Sequence, residues 1–261
     1  MSSYYYVQRV GGEESWAPIQ ANHRGDFEKN QRPMFITALS VSKLVEDLSY
    51  EDKLDLHYMG PMYFDWDSKE DTIIIEKVNT FLDRLLEYKV DLSMCKMFAS
   101  GGKGYHLEIP QQVFQDKVSP KGVRGLPLLY KEMALKLVVD TLDLSIYSTS
   151  RGRMWRCPNV QRPNGRYKVP ITITEMRNMT PAMCAELTSG PRPDIIASRP
   201  EFCADFAIEY DRAAQKVEAL LKKRKNFRPD PKAKDKALGP SVQWMMAGLG
   251  IKAGTDRKSV V

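Results

Sequence analysis

Apolar and polar positions fall along the chain in blocks that read as strands and helices in turn. MFITALSV, at 34–41, has the apolar density of a strand, and HYMGPMYFDWD, at 57–67, ends in another. Over 72–88 the apolar positions fall at 74, 78, 81, 82, 85 and 86, which is helical spacing. MCKMFAS (94–100) and YHLEIP (105–110) predict two strands joined by a glycine turn. LLYKEMALKLVVDTL, at 128–142, predicts a helix; an irregular, arginine-rich stretch covers 147–168, and KVPITIT is β-rich. A long helix follows over about 200–224, with Phe202, Phe206, Tyr210, Ala214, Val217 and Leu221 along one face. This organisation puts a catalytic-sized domain at 1–205, a helical extension at 206–227, a basic linker at 228–240 and, at 241–261, the start of a further helical module.

Composition narrows the class. The chain has 261 residues, 43% hydrophobic and 28% charged, which is ordinary globular usage and excludes a disordered, collagen-like or coiled-coil chain. No run approaches the roughly 18 apolar residues of a membrane span. The opening MSSYYYVQRVGGEES lacks the basic region and apolar stretch of a secretion signal. Cysteines at 95, 157, 184 and 203 form no C-x-x-C pair, so neither a structural zinc nor a disulfide framework is expected. The net charge is +6, and residues 211–240 carry ten basic against four acidic side chains. That stretch suits phosphate backbones, or simply a solvated linker.

Candidate chemistry concentrates in three places. In MYFDWDSKED, Asp65 and Asp67 stand at i and i+2 at the end of an apolar strand, so both carboxylates share a face. Side by side they would repel, and one would hold its proton. A Mg²⁺ or Mn²⁺ ion, with its preference for oxygen ligands, removes the conflict; an exposed strand end or turn accounts for the same pair without an ion. SGGKGYHLEIP, at 100–110, sits between two strand patterns. Gly101, Gly102 and Gly104 allow a tight turn whose N–H groups face an anion, Lys103 adds a point charge, and Ser100 and His106 bracket it. The spacing fits neither a Walker loop nor G-x-G-x-x-G, and a plain glycine hairpin would read the same way. In the third segment, 141–171, Asp143 closes a helix and opens a strand, LDLSIY, and Arg151, Arg153, Arg156, Arg162, Arg166 and Lys168 follow. Such basic density fits polyphosphate or nucleic acid, or a solvated arginine-rich loop. Together, a carboxylate pair, a third acid far along the chain, a phosphate-sized turn and an arginine cluster fit two-metal nucleotidyl transfer.

In content and order these segments resemble the archaeo-eukaryotic primase superfamily, which includes the small primase subunits and the primase-polymerases. YFDWD matches its strand ending in D-x-D, and SGGKGYH its S-G-x-x-G-x-H. LDLSIY, RMWRCP and NVQRPNGRYKVPI match its third block, so the likeness covers about residues 60–172. The resemblance implies an α+β fold, with an RRM-like antiparallel sheet forming an open catalytic cleft and a C-terminal helical extension. It implies that Asp65, Asp67 and Asp143 are the catalytic carboxylates of a two-metal site for Mg²⁺ or Mn²⁺. Ser100, Gly101, Lys103, Gly104, His106, Arg156 and Gln161 would then bind the nucleotide. Arg153, Arg162, Lys168, Lys222, Lys223 and Arg224 are the candidates for contact with DNA. Gln161 stands where the family often has histidine, and Asn159 where it often has serine; Gln161 can donate a hydrogen bond but cannot titrate. The family's zinc motif is absent. The closing PSVQWMMAGLGIKAGTDRKS is similar to the start of the helical module that follows the catalytic domain in phage and plasmid primases.

The implied activity is template-dependent nucleotidyl transfer, making and extending primers on single-stranded DNA during replication. Its partners would be a single-stranded DNA template, NTP or dNTP, and a helicase on the same polypeptide or in trans, with no membrane. The implied location is the cytoplasm of a bacterial or virus-infected bacterial cell. The alternatives are a repair polymerase that extends primers without priming, a non-catalytic single-stranded-DNA-binding replication module, and a metal-dependent nuclease.

Overall fold

The structure is a computed structural model that describes residues 3–9, 15–31, 33–46 and 48–226. Its elements begin with β1 (Tyr4–Arg9), β2 (Ser15–Gln20), α1 (Arg24–Gln31), β3 (Pro33–Thr37), β4 (Ser40–Val41), α2 (Tyr50–Leu54) and β5 (His57–Met59). They continue with β6 (Met62–Asp67), α3 (Asp71–Glu87), β7 (Lys96–Ala99), β8 (Gly104–Ile109), β9 (Val123–Arg124) and α4 (Leu126–Leu137). The last are β10 (Met154–Arg156), β11 (Val169–Ile171), α5 (Ile173–Arg177), α6 (Pro181–Leu187) and α7 (Ala204–Asn226). The strands make two antiparallel sheets, one ordered β10-β3-β1-β4-β5-β9 with β2 beside β1, the other β11-β7-β8-β6. This is an α+β fold. Among the described residues no helix is long and apolar enough to cross a membrane.

Period-two alternation on β6 sets the layers. Phe64 and Trp66 point to α3, where the Phe81 ring lies 4.6 Å and 4.8 Å from theirs. Tyr63 and Asp65 point the other way, toward the first sheet: the Tyr63 ring lies 5.4 Å from Trp155 of β10. Helix α3 buries Ile74, Val78, Phe81, Leu82 and Leu85, nearly the stripe the spacing predicts, although Leu86 is 49% exposed. The helix stops because Lys89 takes a left-handed conformation (φ 59°), which lets the N–H groups of Lys89 and Val90 donate to Leu86 O and Leu85 O.

Four expectations are corrected. MFITALSV is two strands, because Ala38–Leu39 bend the chain so that β3 pairs with β10 while β4 pairs with β5. The helix expected to reach 142 ends at Leu137. Edge strand β6 has backbone groups that need partners, and residues 141–143 supply them: Asp67 N–H donates to Thr141 O, and Trp66 bridges to Leu142. LDLSIY is no strand. The Asp143 carboxylate accepts from Ser145 N at 2.8 Å and starts a 3-10 turn over Leu144–Ile146. KVPITIT stops being a strand at Ile171, where Thr172 and Glu175 form a reciprocal capping box that starts α5.

The second sheet also departs from the RRM-like expectation. The β6-α3-β7-β8 order fits a β-α-β-β start, but the last strand, β11, pairs with β7, and the place beside β6 goes to residues 141–143. Helix α7 buries Phe206, Val217 and Leu221. A side-chain carbon at Gly125, which caps α4, would meet Leu221 at 2.9 Å, so the two helices are in close contact. The boundary expected at 205 therefore falls in the first turn of a helix packed onto the main body. The linker expected at 228–240 and the module at 241–261 lie outside the described residues.

Candidate active site

The acids come together through the backbone. Asp65 and Asp67 occupy one face of β6, and the Asp143 N–H donates to Asp65 O at 2.9 Å. Three residues from two distant segments thus share one strand end. Their side chains are less gathered than their backbones. Asp65 Oδ1 lies 3.2 Å from His106 Nε2, and its Oδ2 lies 3.9 Å from Arg153 Nη2. One oxygen of Asp143 caps the turn at Ser145, while Asp67 is exposed. Among the described residues no group of three His, Cys, Asp or Glu side chains is close enough to hold an ion unaided.

Behind the acids lies a buried polar layer that the two sheets enclose. Register places His106 directly across from Asp65, and Glu108 across from Tyr63. The His106 ring lies 4.3 Å from that of Trp155, whose Nε1–H donates to Glu108 at 2.7 Å. Lys168, only 1% exposed, donates to Arg156 O at 2.9 Å and stands over the Phe98 and Trp155 rings, at 4.3 Å and 4.9 Å. Burial pushes the Lys168 ammonium down to about 8, against the pull of Glu108 and Asp65. Burial and the Lys168 charge likewise hold His106 below its ordinary value. Burial would raise the Asp65 carboxyl, but the His106 hydrogen bond and the charges of Arg153 and Lys168 outweigh it and keep it below the usual range. A His106 that stays neutral donates from Nε2 to Asp65, which leaves Nδ1 a bare acceptor; Nδ1 is buried and has no hydrogen-bond partner among the described residues.

The glycine turn is organised from within. Ser100 Oγ accepts from the Gly102 and Gly104 N–H groups, both at 3.2 Å, so two of the donors expected to face a phosphate are already taken. The glycines answer to packing. A Cβ on Gly101 (φ +68°) would sit 2.3 Å from Tyr167 O, and one on Gly104 only 1.9 Å from Trp66 O. Arg162 Nη1 donates to Ser100 O at 2.9 Å, tying the turn to the hairpin of residues 161–167. Arg156 lies over the Phe35 ring at 4.4 Å, with Nη1 buried and without a hydrogen-bond partner among the described residues. Burial and the like charge of Arg162 push its guanidinium down. Two neighbouring guanidiniums, one with an unused buried N–H, form a place where an anion is favourable.

No family model matches the chain, and no curated protein matches it significantly.

The expected residues therefore divide. Asp65, Asp67, Asp143, His106 and Arg153 meet at the β6 edge, while Ser100, Gly101, Gly104 and Arg162 surround the turn and its hairpin, Arg156 stands on β10 over Phe35, and Lys103 is exposed. Gln161 is exposed and spends its amide on Gly165 O at 3.2 Å, inside its own hairpin. Lys168 is corrected from a DNA-facing residue to an interior one, because β11 pairs with β7 and turns its side chain under Trp155. Lys222 and Lys223 are exposed on α7, where Lys222 pairs with Glu218 at 3.3 Å; Arg224 is on the same helix. Glu108 and Trp155 belong to the same layer although neither is among the expected residues. The sequence did carry a signal for Glu108: in YHLEI the polar positions 106 and 108 share a strand face.

The donor set suits a hard cation. Mg²⁺ ordinarily takes one or two carboxylates and completes its shell with water and substrate phosphate oxygens, so the exposed Asp67 and the uncommitted oxygen of Asp143 fit it without a preformed cage.

Proposed function

We propose that the chain is a template-dependent nucleotidyltransferase of the primase-polymerase type, acting on single-stranded DNA with release of pyrophosphate. The observation that carries this reading is the Asp143 N–H bond to Asp65 O at 2.9 Å, which brings a third acid to the D-x-D strand end. Asp65, Asp67 and Asp143 would hold Mg²⁺ or Mn²⁺, which supplies Lewis acidity toward the phosphate and the attacking hydroxyl. His106, Arg153 and Lys168 keep Asp65 an anion and fix its orientation. Arg156 and Lys103, with Arg162 behind them, offer positive charge where a triphosphate gathers negative charge. This reading carries with it the archaeo-eukaryotic primase fold, with the acids on an open face.

The test is primer-free synthesis on single-stranded DNA with Mg²⁺ or Mn²⁺, comparing the wild type with Asp67→Asn. Because Asp67 is exposed, the substitution spares the fold. We expect incorporation to fall by about 100-fold or more, the scale of losing one group that stabilises the transition state, with an unchanged Tm. Full activity in the variant, or no incorporation by the wild type with either ion, overturns the proposal. A second reading, a non-catalytic DNA-binding module, is favoured by the engagement of both Asp65 oxygens by His106 and Arg153. It requires DNA binding with no incorporation in the same assay.

A further inference from the structure

A concave surface is formed in part by residues 149–152, next in the chain to Arg153. It is a groove of about 410 Å³, lined by Trp16, Glu46, Lys53, Thr149, Arg151 and Gly152 among others. Two residues with side chains adopt left-handed backbone on its rim, Trp16 (φ 72°) and Ser150 (φ 76°). For a bulky residue this conformation is strained, and strain persists only where surrounding structure enforces it. Both are enforced. Trp16 is the extra residue of a bulge, since Val7 pairs with Ala17 while Gln8 pairs with Ser15. Ser150 is clamped at both ends by the buried Tyr58 hydroxyl, which accepts from Ser150 N at 2.7 Å and donates to Ser150 O at 3.1 Å.

The strain aims particular chemistry into the groove. The Arg151 guanidinium lies 5.7 Å from the Trp16 ring centre and 5.6 Å from that of Tyr6. Its Nε faces Glu46 Oε1 at 3.1 Å, and Glu46 is itself held by the Tyr6 hydroxyl at 3.0 Å and Val45 N at 2.9 Å. Arg151 is therefore oriented from behind while its side chain stays 38% exposed. An indole beside a guanidinium is a stacking platform for a nucleobase. Arg151 and Lys53 against Glu46 leave one net positive charge on the lining. That balances a single phosphodiester and falls well short of a triphosphate. Arg153, two residues on, reaches Asp65, so the groove adjoins the acids.

We propose that this groove holds one nucleotide of a single-stranded DNA chain, its base against Trp16 and Arg151 and its phosphodiester near Lys53 and Arg151. The inference deepens the nucleotidyl-transfer reading and rests on it for the identity of the strand as template. The test is fluorescence anisotropy of a labelled oligo-dT 20-mer, without metal or nucleotide, on the full chain with folding checked by circular dichroism. Trp16→Ala should weaken binding about tenfold, the scale of one lost base–aromatic stack. Lys53→Gln should lower the slope of log affinity against log salt by about 0.7, one phosphate contact on a single strand. Unchanged affinity and slope in both folded variants overturns the proposal, and so does competition by free dTTP as effective as that by unlabelled oligo-dT. Weakened binding in the variants, paired with a wild type that incorporates no nucleotide, supports the groove and defeats the enzymatic reading alone.

Discussion

On the α3 side of β6, Phe64 and Trp66 close on Phe81 in an aromatic cluster; on the other side, one residue away each time, Asp65 meets His106 above the enclosed Lys168. The first face stabilises the fold by removing apolar surface from water. The second works against folding, since an ammonium whose only direct hydrogen bond among the described residues is to a carbonyl must be taken out of water. A single strand therefore joins a layer that holds the molecule together to a layer whose burial costs stability.

Breaking the apolar face should have the largest effect. Phe81→Ala, at the centre of the three-ring cluster and fully buried, should lower unfolding free energy by about 3–5 kcal/mol in urea titration. A loss under about 1 kcal/mol would mean that the face packs loosely. The polar face should respond with the opposite sign. Lys168→Met keeps the stem and removes the charge, so it should raise stability by about 1–3 kcal/mol. The pH dependence sharpens the contrast. Lys168 falls from 10.5 to about 8 on folding. Between those values the unfolded chain keeps a proton that the folded chain has shed, so the penalty that Lys168 itself imposes should shrink with rising pH across that window. Below it both states are protonated and the full penalty of about 3 kcal/mol applies. Denaturation curves at pH 7 and pH 10 should show the stability advantage of Lys168→Met over the wild type shrinking at the higher pH, since the ionisation of the buried tyrosines and cysteines is common to both proteins and cancels in the difference. The smallest effect belongs to the outer side of α3. Leu86→Lys, at a half-exposed position, should change stability by less than about 0.5 kcal/mol.

How far the sequence reveals these features depends on whether their causes are local. Helix α3 is legible because its buried positions repeat with the period of the helix, and only Leu86, at the margin of the stripe, misleads. The shared face of Asp65 and Asp67 follows from strand geometry alone. The stretch 138–146 is not legible as structure, because its conformation is dictated by the edge of β6, far away in sequence; helix propensity carries the pattern past Leu137, but the unpaired strand edge outweighs it. Lys168 reads as one more member of a basic run, and only the pairing of β11 with β7 sends it inward. The approach of Asp143 to β6 comes from no spacing rule and entered only through the family resemblance. Strands β1 and β2, and with them the Trp16 bulge, left no periodic signal strong enough to assign.

The 1.9 Å that would separate a Cβ at position 104 from the Trp66 carbonyl has a consequence for mutational surveys of this protein. Even alanine there would wedge β8 away from β6 and drag His106 out of line with its acid. A saturation library should thus accept glycine alone at 104 whatever molecule the neighbouring turn serves, and that intolerance would measure how tightly two strands abut rather than what they bind.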